Sequence, residues 1–420
     1  LNEKEKLKNE LNAITEKYQT LTDSTNSPYQ RMPQLSLSAR KDYDSYITDI
    51  NSQWTYFDRD SKFNFIGNDK VTGSRFVATP SITIPITQTY GYIKPKLSAN
   101  IRSYNLNNLD STTTFKSQDM VTPIMSVDSG MYFDRSINLL NQNYTNTLEP
   151  RLFYVYIPYK DQTKLPLFDT GLSDLNMQTL FAENQFNGQD RLNDANQLTA
   201  ALTSKLIDKN GKERISGIIA QRFYFDDRRT FLDSTFTSTD SVRSKSDLFA
   251  GATARFTNNL NLDGMWQYDP SKNKVLRNTI SSRYNPEPGK IINVSYRMID
   301  NIIDSSQSLK EFNIAGQWPL GNRYYSIGRL NYDLRTSQTI EAVVGLEYDG
   351  GCWVARTLFD RISLPTSPAA NYTFFVQLEL NGLGNIGTDP NKLNTFLYRN
   401  VPGVRTVNQI PDVNRQANFN

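Results

Sequence analysis

Apolar and polar residues alternate along most of the chain, so that nearly every second side chain from Pro33 to Leu380 is apolar. The clearest run lies near the end, where Tyr372, Phe374, Val376, Leu378 and Leu380 alternate with polar residues and only Phe375 breaks the pattern. A period of two is the side-chain period of a β-strand. At roughly 20 to 25 residues for each strand and its connection, this region predicts about 16 to 18 strands.

The first 21 residues show a different spacing. Leu7, Leu11, Ile14, Tyr18 and Leu21 recur at steps of four and three, which is the spacing of an amphipathic helix. A partner-binding helix, a short loop helix and the edge of a strand remain open as interpretations. We therefore divide the chain into a charged segment leading into a strand (residues 1–27), a strand region (28–383) and a polar C-terminal tail (384–420).

The polar face of the strand region carries Glu, Gln, Arg and Lys, which suits a water-filled interior and would fill a sandwich core poorly. Two polar stretches, residues 226–247 and 300–310, are too long for tight hairpins and predict surface loops. No stretch has the 18 or more apolar residues of a transmembrane helix, and the start of the chain has no signal-peptide core. These features favour an all-β fold, a large antiparallel transmembrane β-barrel of the outer-membrane type, over residues 28–383.

The composition argues against conventional catalysis. The 420 residues include no histidine and one cysteine, so a Ser-His or Cys-His pair, an imidazole metal site and a thiolate zinc site are excluded. The net charge of +3 is not that of a nucleic-acid-binding protein, and 12% aromatic residues do not fit a disordered chain. We predict a protein that is not an enzyme, has no cofactor and no metal site, and does not bind nucleic acid.

Four prolines lie where the alternation predicts strands: Pro80, Pro85, Pro150 and Pro158. A proline cannot donate a hydrogen bond to the neighbouring strand, so each position requires a bulge, a strand end or an edge. The interpretations are strand ends near the membrane interface or a deliberately weakened seam.

Four stretches are more specific than this general pattern. They are residues 148–162 (LEPRLFYVYIPYKDQ), 186–199 (FNGQDRLNDANQLT), 221–225 (QRFYF), and the pair formed by 347–353 with the last strand at 376–384 (VQLELNGLG). In this order and at this spacing, they resemble the C-terminal barrel of the lipopolysaccharide-assembly LptD family, also called the organic-solvent-tolerance proteins. The resemblance extends from about residue 28 to about residue 403.

The resemblance implies a function and partners. Members of this family are expected to insert lipopolysaccharide into the outer leaflet of the outer membrane of Gram-negative cells, with lipid leaving laterally between the first and last strands. It implies the lipoprotein LptE as a plug inside the barrel and the periplasmic bridge protein LptA as a partner of an N-terminal jelly-roll domain. The family barrel has roughly 26 strands, so we expect this chain to begin part-way into it, without the jelly roll.

The resemblance also implies roles for particular residues. The strand formed by Tyr372, Phe374, Val376, Leu378 and Leu380 matches the closing strand and would line the lateral gate, although an ordinary lipid-facing strand has the same pattern. The residues Gly188, Asp190, Arg191, Asp194 and Asn196 match a loop that lies in or over the lumen. A salt-bridged structural loop remains the alternative.

Cys352 matches one of two adjacent cysteines that the family bonds to its N-terminal domain. The sequence here reads Gly351-Cys352-Trp353, so one cysteine of that pair is absent. The resemblance implies a disulfide from Cys352 to a domain outside this chain, whereas a lone cysteine by itself is more often a small buried apolar residue.

Two other functions remain open. A general or substrate-specific porin would also be an alternating barrel, but it would conduct ions as an open channel. A soluble, aromatic-rich β-sandwich that binds glycans would stay in solution without detergent.

Overall fold

A computed structural model describes residues 8–16, 28–59, 70–109, 116–139, 141–232, 242–300, 308–321, 323–363, 370–380, 383–388, 393, 396–399 and 401–404. Nearly all of these residues lie in strands or in the turns between them, and eighteen of the described strands have eight or more residues. The strands are β1 (Lys8–Glu16), β2 (Gln30–Asp42), β3 (Ile47–Asp58), β4 (Thr72–Thr83), β5 (Ile86–Gln88), β6 (Gly91–Asn107), β7 (Ser117–Met131), β8 (Phe133–Leu139), β9 (Gln142–Ile157), β10 (Gly171–Leu172), β11 (Phe186–Asn187), β12 (Ala195–Asp208), β13 (Glu213–Tyr224), β14 (Leu248–Arg255), β15 (Leu260–Asp269), β16 (Lys274–Glu287), β17 (Lys290–Ile299), β18 (Leu309–Pro319), β19 (Tyr324–Asp333), β20 (Gln338–Asp349), β21 (Trp353–Ser363), β22 (Ala370–Leu380) and β23 (Gly384–Gly387). A 3-10 turn spans Thr179–Phe181.

The chain divides into two compact units, one formed by residues 1–134, 148–203 and 220–248 and the other by residues 135–147, 204–219 and 249–420. In unit 1, β1 to β4 pair with their sequence neighbours, β4 pairs with β6, β6 with β7 and β7 with β9, all antiparallel. In unit 2, β15 to β23 form an antiparallel meander in which each strand pairs with the next. The predicted all-β, antiparallel class is confirmed.

Within each unit, the sheet has an exposed face that is apolar and a covered face that contains charged residues. In unit 2, Val344 and Phe374 are 69% and 65% exposed, whereas Glu347 and Arg356 on the other face are buried. In unit 1, Phe76 is exposed while its neighbour Arg75 is fully buried. A soluble sheet buries its apolar face, so this reversed pattern is typical of strands that contact lipid. Among the described residues, no helix is long and apolar enough to cross a membrane.

The helical interpretation of the first residues is wrong over Lys8–Glu16. These residues form β1, which pairs with β2 through partners such as Leu11 with Leu37 and Ala13 with Leu35. Leu11 and Ala13 are also two positions apart, so the local sequence fits a strand, and pairing with β2 supplies the backbone hydrogen bonds. Leu7, Tyr18 and Leu21 of the predicted helical seam lie outside the described residues.

The predicted polar C-terminal tail is also corrected for its described part. Residues 384–387 form β23, and residues 393, 396–399 and 401–404, which we call the covering segment, pack against the covered face of unit 2. Leu393, Leu397, Val401 and Val404 of this segment are buried. They contact a row of apolar residues across the strands, the apolar stripe: Ile291, Ala315, Ile327, Val343 and Leu358. The large aliphatic residues of this segment recur at steps of four, four and three, which is a helical spacing that the strand alternation does not reveal, and residues 396–399 are helical.

Candidate functional site

The long connection between β9 and β12, residues 158–194, contains most of the loop that the resemblance singled out. β10 and β11 form a small hairpin in which Leu172 faces Phe186. Gly188 follows this hairpin with φ +75°, a left-handed conformation that favours glycine. A Cβ at this position would overlap the carbonyl oxygen of Asp169 and lie 2.8 Å from Thr170 Cα. Gly188 therefore permits the close approach of the two arms of the loop.

Asp190 is fully buried at the centre of this loop. A buried carboxylate is costly unless it is paired and hydrogen-bonded. Here it accepts five hydrogen bonds, from Arg75 Nη1 (2.5 Å), Tyr104 Oη (3.4 Å), the backbone N–H groups of Phe168 (2.8 Å) and Asp169 (2.9 Å), and Thr170 Oγ1 (3.2 Å). The loop is thereby fixed to strands β4 and β6.

Arg75 in β4 is shared by two carboxylates. Its Nη1 and Nη2 atoms donate to the two oxygens of Asp169 at 2.6 Å and 2.7 Å, in addition to the bond to Asp190. Burial raises the pKa of Asp169, but the hydrogen bonds and charge of Arg75 outweigh burial, and the pKa lies below its ordinary value. Complete burial raises the pKa of Asp190, against the opposing effect of Arg75. One guanidinium thus binds both carboxylates, and the pKa of Asp169 lies below its ordinary value whereas that of Asp190 lies above it.

Two further arginines surround this pair. Arg102 in β6 donates to the backbone carbonyl of Asp190 at 2.6 Å and to Gln162 Oε1 at 2.9 Å. Arg191 donates to the backbone carbonyl of Leu165 at 2.7 Å. We call Arg75, Arg102, Asp169, Asp190 and Arg191 the ion network.

Asp194 and Asn196 fix the end of the same loop. Asp194 accepts hydrogen bonds from the backbone N–H groups of Arg229 at 2.9 Å and Thr230 at 2.8 Å. Asn196 accepts from Tyr154 Oη at 2.9 Å and donates to Asp226 Oδ2 at 2.8 Å. The four polar residues predicted from the sequence thus hold the loop to itself, to neighbouring strands or to the connection that follows β13.

Apolar contacts add to these polar ones. Phe168 stacks on Phe57 with ring centroids 4.4 Å apart and meets Tyr29 edge-on at 4.9 Å. These rings belong to one buried cluster, and Leu192 at the other end of the loop belongs to a second. Each aromatic pair contributes about 0.5–1.5 kcal/mol beyond the burial of its area. The loop is an integral part of unit 1.

The predicted closing strand is β22. It pairs with β21 over all eleven residues from Ala370 to Leu380, but on its other edge β23 pairs only with residues 377–380. No strand among the described residues pairs with the 370–375 part of that edge. Tyr372, Phe374 and Val376 are exposed, while Leu378 and Leu380 are half-buried. The strand thus presents an apolar face beside a largely open edge.

The covered face of β22 is tied to its neighbours by Arg356 of β21. The guanidinium donates to Glu347 in β20 at 2.7 Å and to Gln377 and Glu379 in β22 at 2.9 Å and 2.5 Å. Glu347, Arg356 and Gln377 are direct partners across the three strands. Phe375 packs on Phe396 of the covering segment at 4.9 Å. The edge strand is therefore supported from its covered side.

Cys352 is exposed and unbonded in the three-residue turn between β20 and β21. In unit 2, the four connections at its end of the strands have two to four residues, whereas those at the opposite end have up to nine. Beside it, the ring of Trp353 packs on Tyr348 at 5.2 Å, and Tyr348 packs on Tyr324 at 4.7 Å. Short turns are typical of the periplasmic end of outer-membrane strands, and aromatic rings are typical of either membrane interface.

Three of the four singled-out prolines lie at strand ends or at the end of a pairing. Pro85 lies between β4 and β5, Pro158 directly follows β9, and Pro150 lies just beyond the last residue of β9 that pairs with β7. Pro80 is different because it lies within β4, where residues 79 and 80 have no registered partner in β6. The gap in pairing fits the proline, which has no N–H group to donate to the neighbouring strand.

Sequence reasoning missed Arg75, Arg102, Asp169 and Arg356. The available signal was an arginine at a polar position of an alternating strand. A buried charge at such a position needs a partner. The sequence does not say which acidic residue that partner is. Among the described residues, no three His, Cys, Asp or Glu side chains are close enough to hold a metal ion.

Comparison with protein families and with other sequences gives consistent matches. The family model described as LptD, LPS transport system D, matches residues 5–324. The LPS-assembly protein LptD of Thiobacillus denitrificans is 36% identical over 399 residues, which cover 94% of this chain and 52% of that protein. The LPS-assembly protein LptD of an Azoarcus species is 37% identical over 415 residues, 96% of this chain and 49% of that protein. The chain spans about half the length of the curated relatives it matches.

Solved structures are much more distant. The siderophore receptor PirA from Acinetobacter baumannii is 7% identical, with a TM-score of 0.39 over 86% of this chain and 66% of that one. The Pseudomonas aeruginosa protein FpvA bound to heterologous pyoverdines is 9% identical, with a TM-score of 0.35 over 91% of this chain and 60% of that one. Scores of this size carry no argument.

Proposed function

This chain belongs to the LptD family of LPS-assembly proteins, and from that premise we propose that it moves lipopolysaccharide to the outer leaflet and releases it laterally at the edge of β22. Family membership confirms the predicted location in the outer membrane of a Gram-negative cell. The substrate, the closure of the strands into a plugged barrel and the lateral gate are parts of the proposal.

The observation that carries the proposal is the edge of β22. Opening a seam in lipid exposes backbone N–H and C=O groups, and each unsatisfied group costs several kcal/mol. On one edge β22 pairs with β21 over all eleven residues, and on the other β23 pairs only with residues 377–380, so residues 370–375 are the part of the strand that the first strand of the full-length barrel would meet. The exposed Tyr372, Phe374 and Val376 would contact the acyl chains of a departing lipid.

The support on the covered side fits the same proposal. Arg356 joins β22 to β21 and β20, so the strand can keep its position while its other edge opens. The loop with Gly188, Asp190, Arg191, Asp194 and Asn196 would lie on the route of the sugar portion. Its buried ion network suits a fixed wall of that route, because every charged side chain in it is already hydrogen-bonded within unit 1.

A photo-crosslinking experiment in cells tests the gate. A crosslinking residue at Phe374 in the full-length protein is compared with one at Val344, which is as exposed but lies two strands away from the edge. We expect several-fold more lipopolysaccharide adduct at Phe374. Equal yields at the two positions would contradict lateral release at β22, and unchanged surface lipopolysaccharide after depletion would contradict lipopolysaccharide transport itself.

The partners can be tested by purification. We propose that LptE plugs the barrel and that LptA meets the periplasmic part of the full-length protein, as the family resemblance implies. A stable one-to-one complex with a small lipoprotein is expected from detergent extracts. An empty trimer that conducts ions would instead support the alternative of a general or substrate-specific porin.

We further propose that Cys352 forms a disulfide with a periplasmic domain of the full-length protein. Its exposure and its place at the short-turn end of unit 2 support this. Reduction should change the gel mobility of the full-length protein, and a Cys352→Ser variant should migrate as the reduced form without treatment. An identical mobility with and without reductant would exclude the bond.

A further inference from the structure

A polar cavity of about 340 Å³ lies on the covered face of unit 2, and no residue of β22 lines it. Its floor is made of two neighbouring rows of side chains that face one another across strands β15 to β19. The first row is Asn261, Arg283, Asn293, Ala315 and Arg329, and the second is Asp263, Ser281, Ser295 and Asn313. Every member of both rows lines the cavity.

The small side chains in these rows explain the hollow. Ser281, Ser295 and Ala315 lie in the three middle strands, β16 to β18, and each has a short side chain that leaves space above the sheet. Ala315 also belongs to the apolar stripe. The floor is therefore set by the sequence of five adjacent strands and does not depend on a loop.

The covering segment supplies the remaining wall. Arg399 and Pro402 line the cavity, and Asn293 Nδ2 donates to the backbone carbonyl of Pro402 at 3.0 Å. The buried Leu397 and Val401 on either side hold the segment on the apolar stripe. The cavity thus exists only because this segment is docked.

The lining determines what the cavity can bind. It contains three arginines and one aspartate, with asparagine and serine groups between them and no aromatic ring. Arg329 is paired with Glu341 at 3.3 Å, Arg283 Nε donates to Asn293 Oδ1 at 2.9 Å, and Asp263 accepts from Thr253 Oγ1 at 3.0 Å. Arg399, which lies within electrostatic range of Asp360, is exposed. The lining side chains themselves carry three positive charges and one negative charge, and they are rich in groups that hydrogen-bond hydroxyls.

We propose that this cavity is a binding subsite for a sugar that carries an oxyanion, a phosphate or a carboxylate, with Arg283 and Arg399 on the anion and the asparagine and serine groups on the hydroxyls. Guanidinium groups bind both oxyanions through paired N–H donors. An acyl chain is a poorer ligand because most of the lining surface is polar and includes three arginines. The inference rests on the proposed function, since the ligand would be the sugar portion of lipopolysaccharide.

The test uses a crosslinking residue at Asn261, at the end of the first row, in the full-length protein in cells. Arg399→Glu is expected to lower the lipopolysaccharide adduct at Asn261 about fivefold or more, because it replaces an attractive charge with a repulsive one. Arg297→Glu is the matched control, because Arg297 is exposed, lies two residues beyond Ser295 on the same face and does not line the cavity. Arg399→Gln, a milder change, should give an intermediate loss.

The outcomes separate this inference from the proposed function. An adduct at Phe374 together with an Asn261 adduct that Arg399→Glu leaves unchanged would overturn the subsite alone. No adduct at either position would overturn both proposals.

In the purified full-length complex, glucose 6-phosphate and glucuronate should compete with the Asn261 adduct and glucose should not. Competition by only one of the two anions would identify its group as the one recognised, and equal competition by glucose would overturn the role of the anion.

Discussion

The two units cover one face of their sheets in opposite ways. In unit 1, a long loop covers the face with a buried ion network in which Arg75, Asp169 and Asp190 are joined by short hydrogen bonds. In unit 2, the covering segment lies on the apolar stripe through aliphatic side chains and leaves a polar cavity beside it. Charge-assisted hydrogen bonds depend on the distance and direction between donor and acceptor, so they hold the two groups in one geometry. Apolar packing is non-directional and depends mainly on the surface area that is buried. Unit 1 is thus built to hold its loop in one position, whereas the cover of unit 2 is held mainly by buried aliphatic side chains.

The largest expected effect comes from breaking the ion network. Arg75→Ala leaves Asp169 and Asp190 buried without their shared cation, and removing one partner of a buried pair costs about 3–5 kcal/mol. The free energy of unfolding in detergent micelles should fall by that amount.

Arg31→Ala is the control for this change. Arg31 is partly exposed. Its Nη2 lies 3.8 Å from Asp169 Oδ2, and its Nη1 lies 3.1 Å from Glu16 Oε2. Exposed ion pairs contribute about 0–1 kcal/mol, so this variant should be close to the unchanged protein. If the two variants lose similar stability, Arg75 does not have the central role that the contacts indicate.

A smaller effect is expected from weakening the cover of unit 2. Leu397→Ala removes a buried side chain from the apolar stripe, a change that costs about 2–5 kcal/mol where the surroundings cannot collapse. We expect the covering segment to detach before the sheet unfolds, since it is held mainly by four buried aliphatic side chains, so the loss should appear as faster proteolysis of the segment while the sheet stays folded. Tyr398→Ala, at the exposed neighbour, should leave the cleavage rate unchanged. Loss of the whole fold in Leu397→Ala would show that the cover is not separable.

The smallest effect is expected from replacing each of two glycines that have the same φ angle. Gly188 and Gly211 both have φ +75°, but a Cβ at Gly188 would overlap Asp169, whereas nothing lies within 4 Å of one at Gly211. The Gly211→Ala variant should lose only the backbone preference, about 1 kcal/mol. The Gly188→Ala variant should lose about 1–3 kcal/mol more, because the loop must shift. Equal melting temperatures for the two variants would show that the loop adjusts freely.

Some features of the site could be read from the sequence because they depend on neighbouring residues. The alternation in Tyr372–Leu380 gives the exposed and covered faces of β22, since successive side chains of a strand point to opposite sides. The loop residues from Gly188 to Asn196 stand out as turn-forming and hydrogen-bonding types. The same local rule failed at Lys8–Glu16, where a spacing of four and three competed with a spacing of two and only pairing with β2 decided between them.

What the sequence alone determined was therefore the strand class, the faces of the strands and the family. Tertiary structure decided which charges are buried together, since Arg75 and Asp190 are 115 residues apart and nothing in either neighbourhood indicates the other. It also decided that a segment expected to be a polar tail lies on the apolar stripe and forms one wall of a cavity. Strand periodicity is set by the backbone of each residue, but partners for charges and covers for apolar rows are set by register and by contacts between distant parts of the chain.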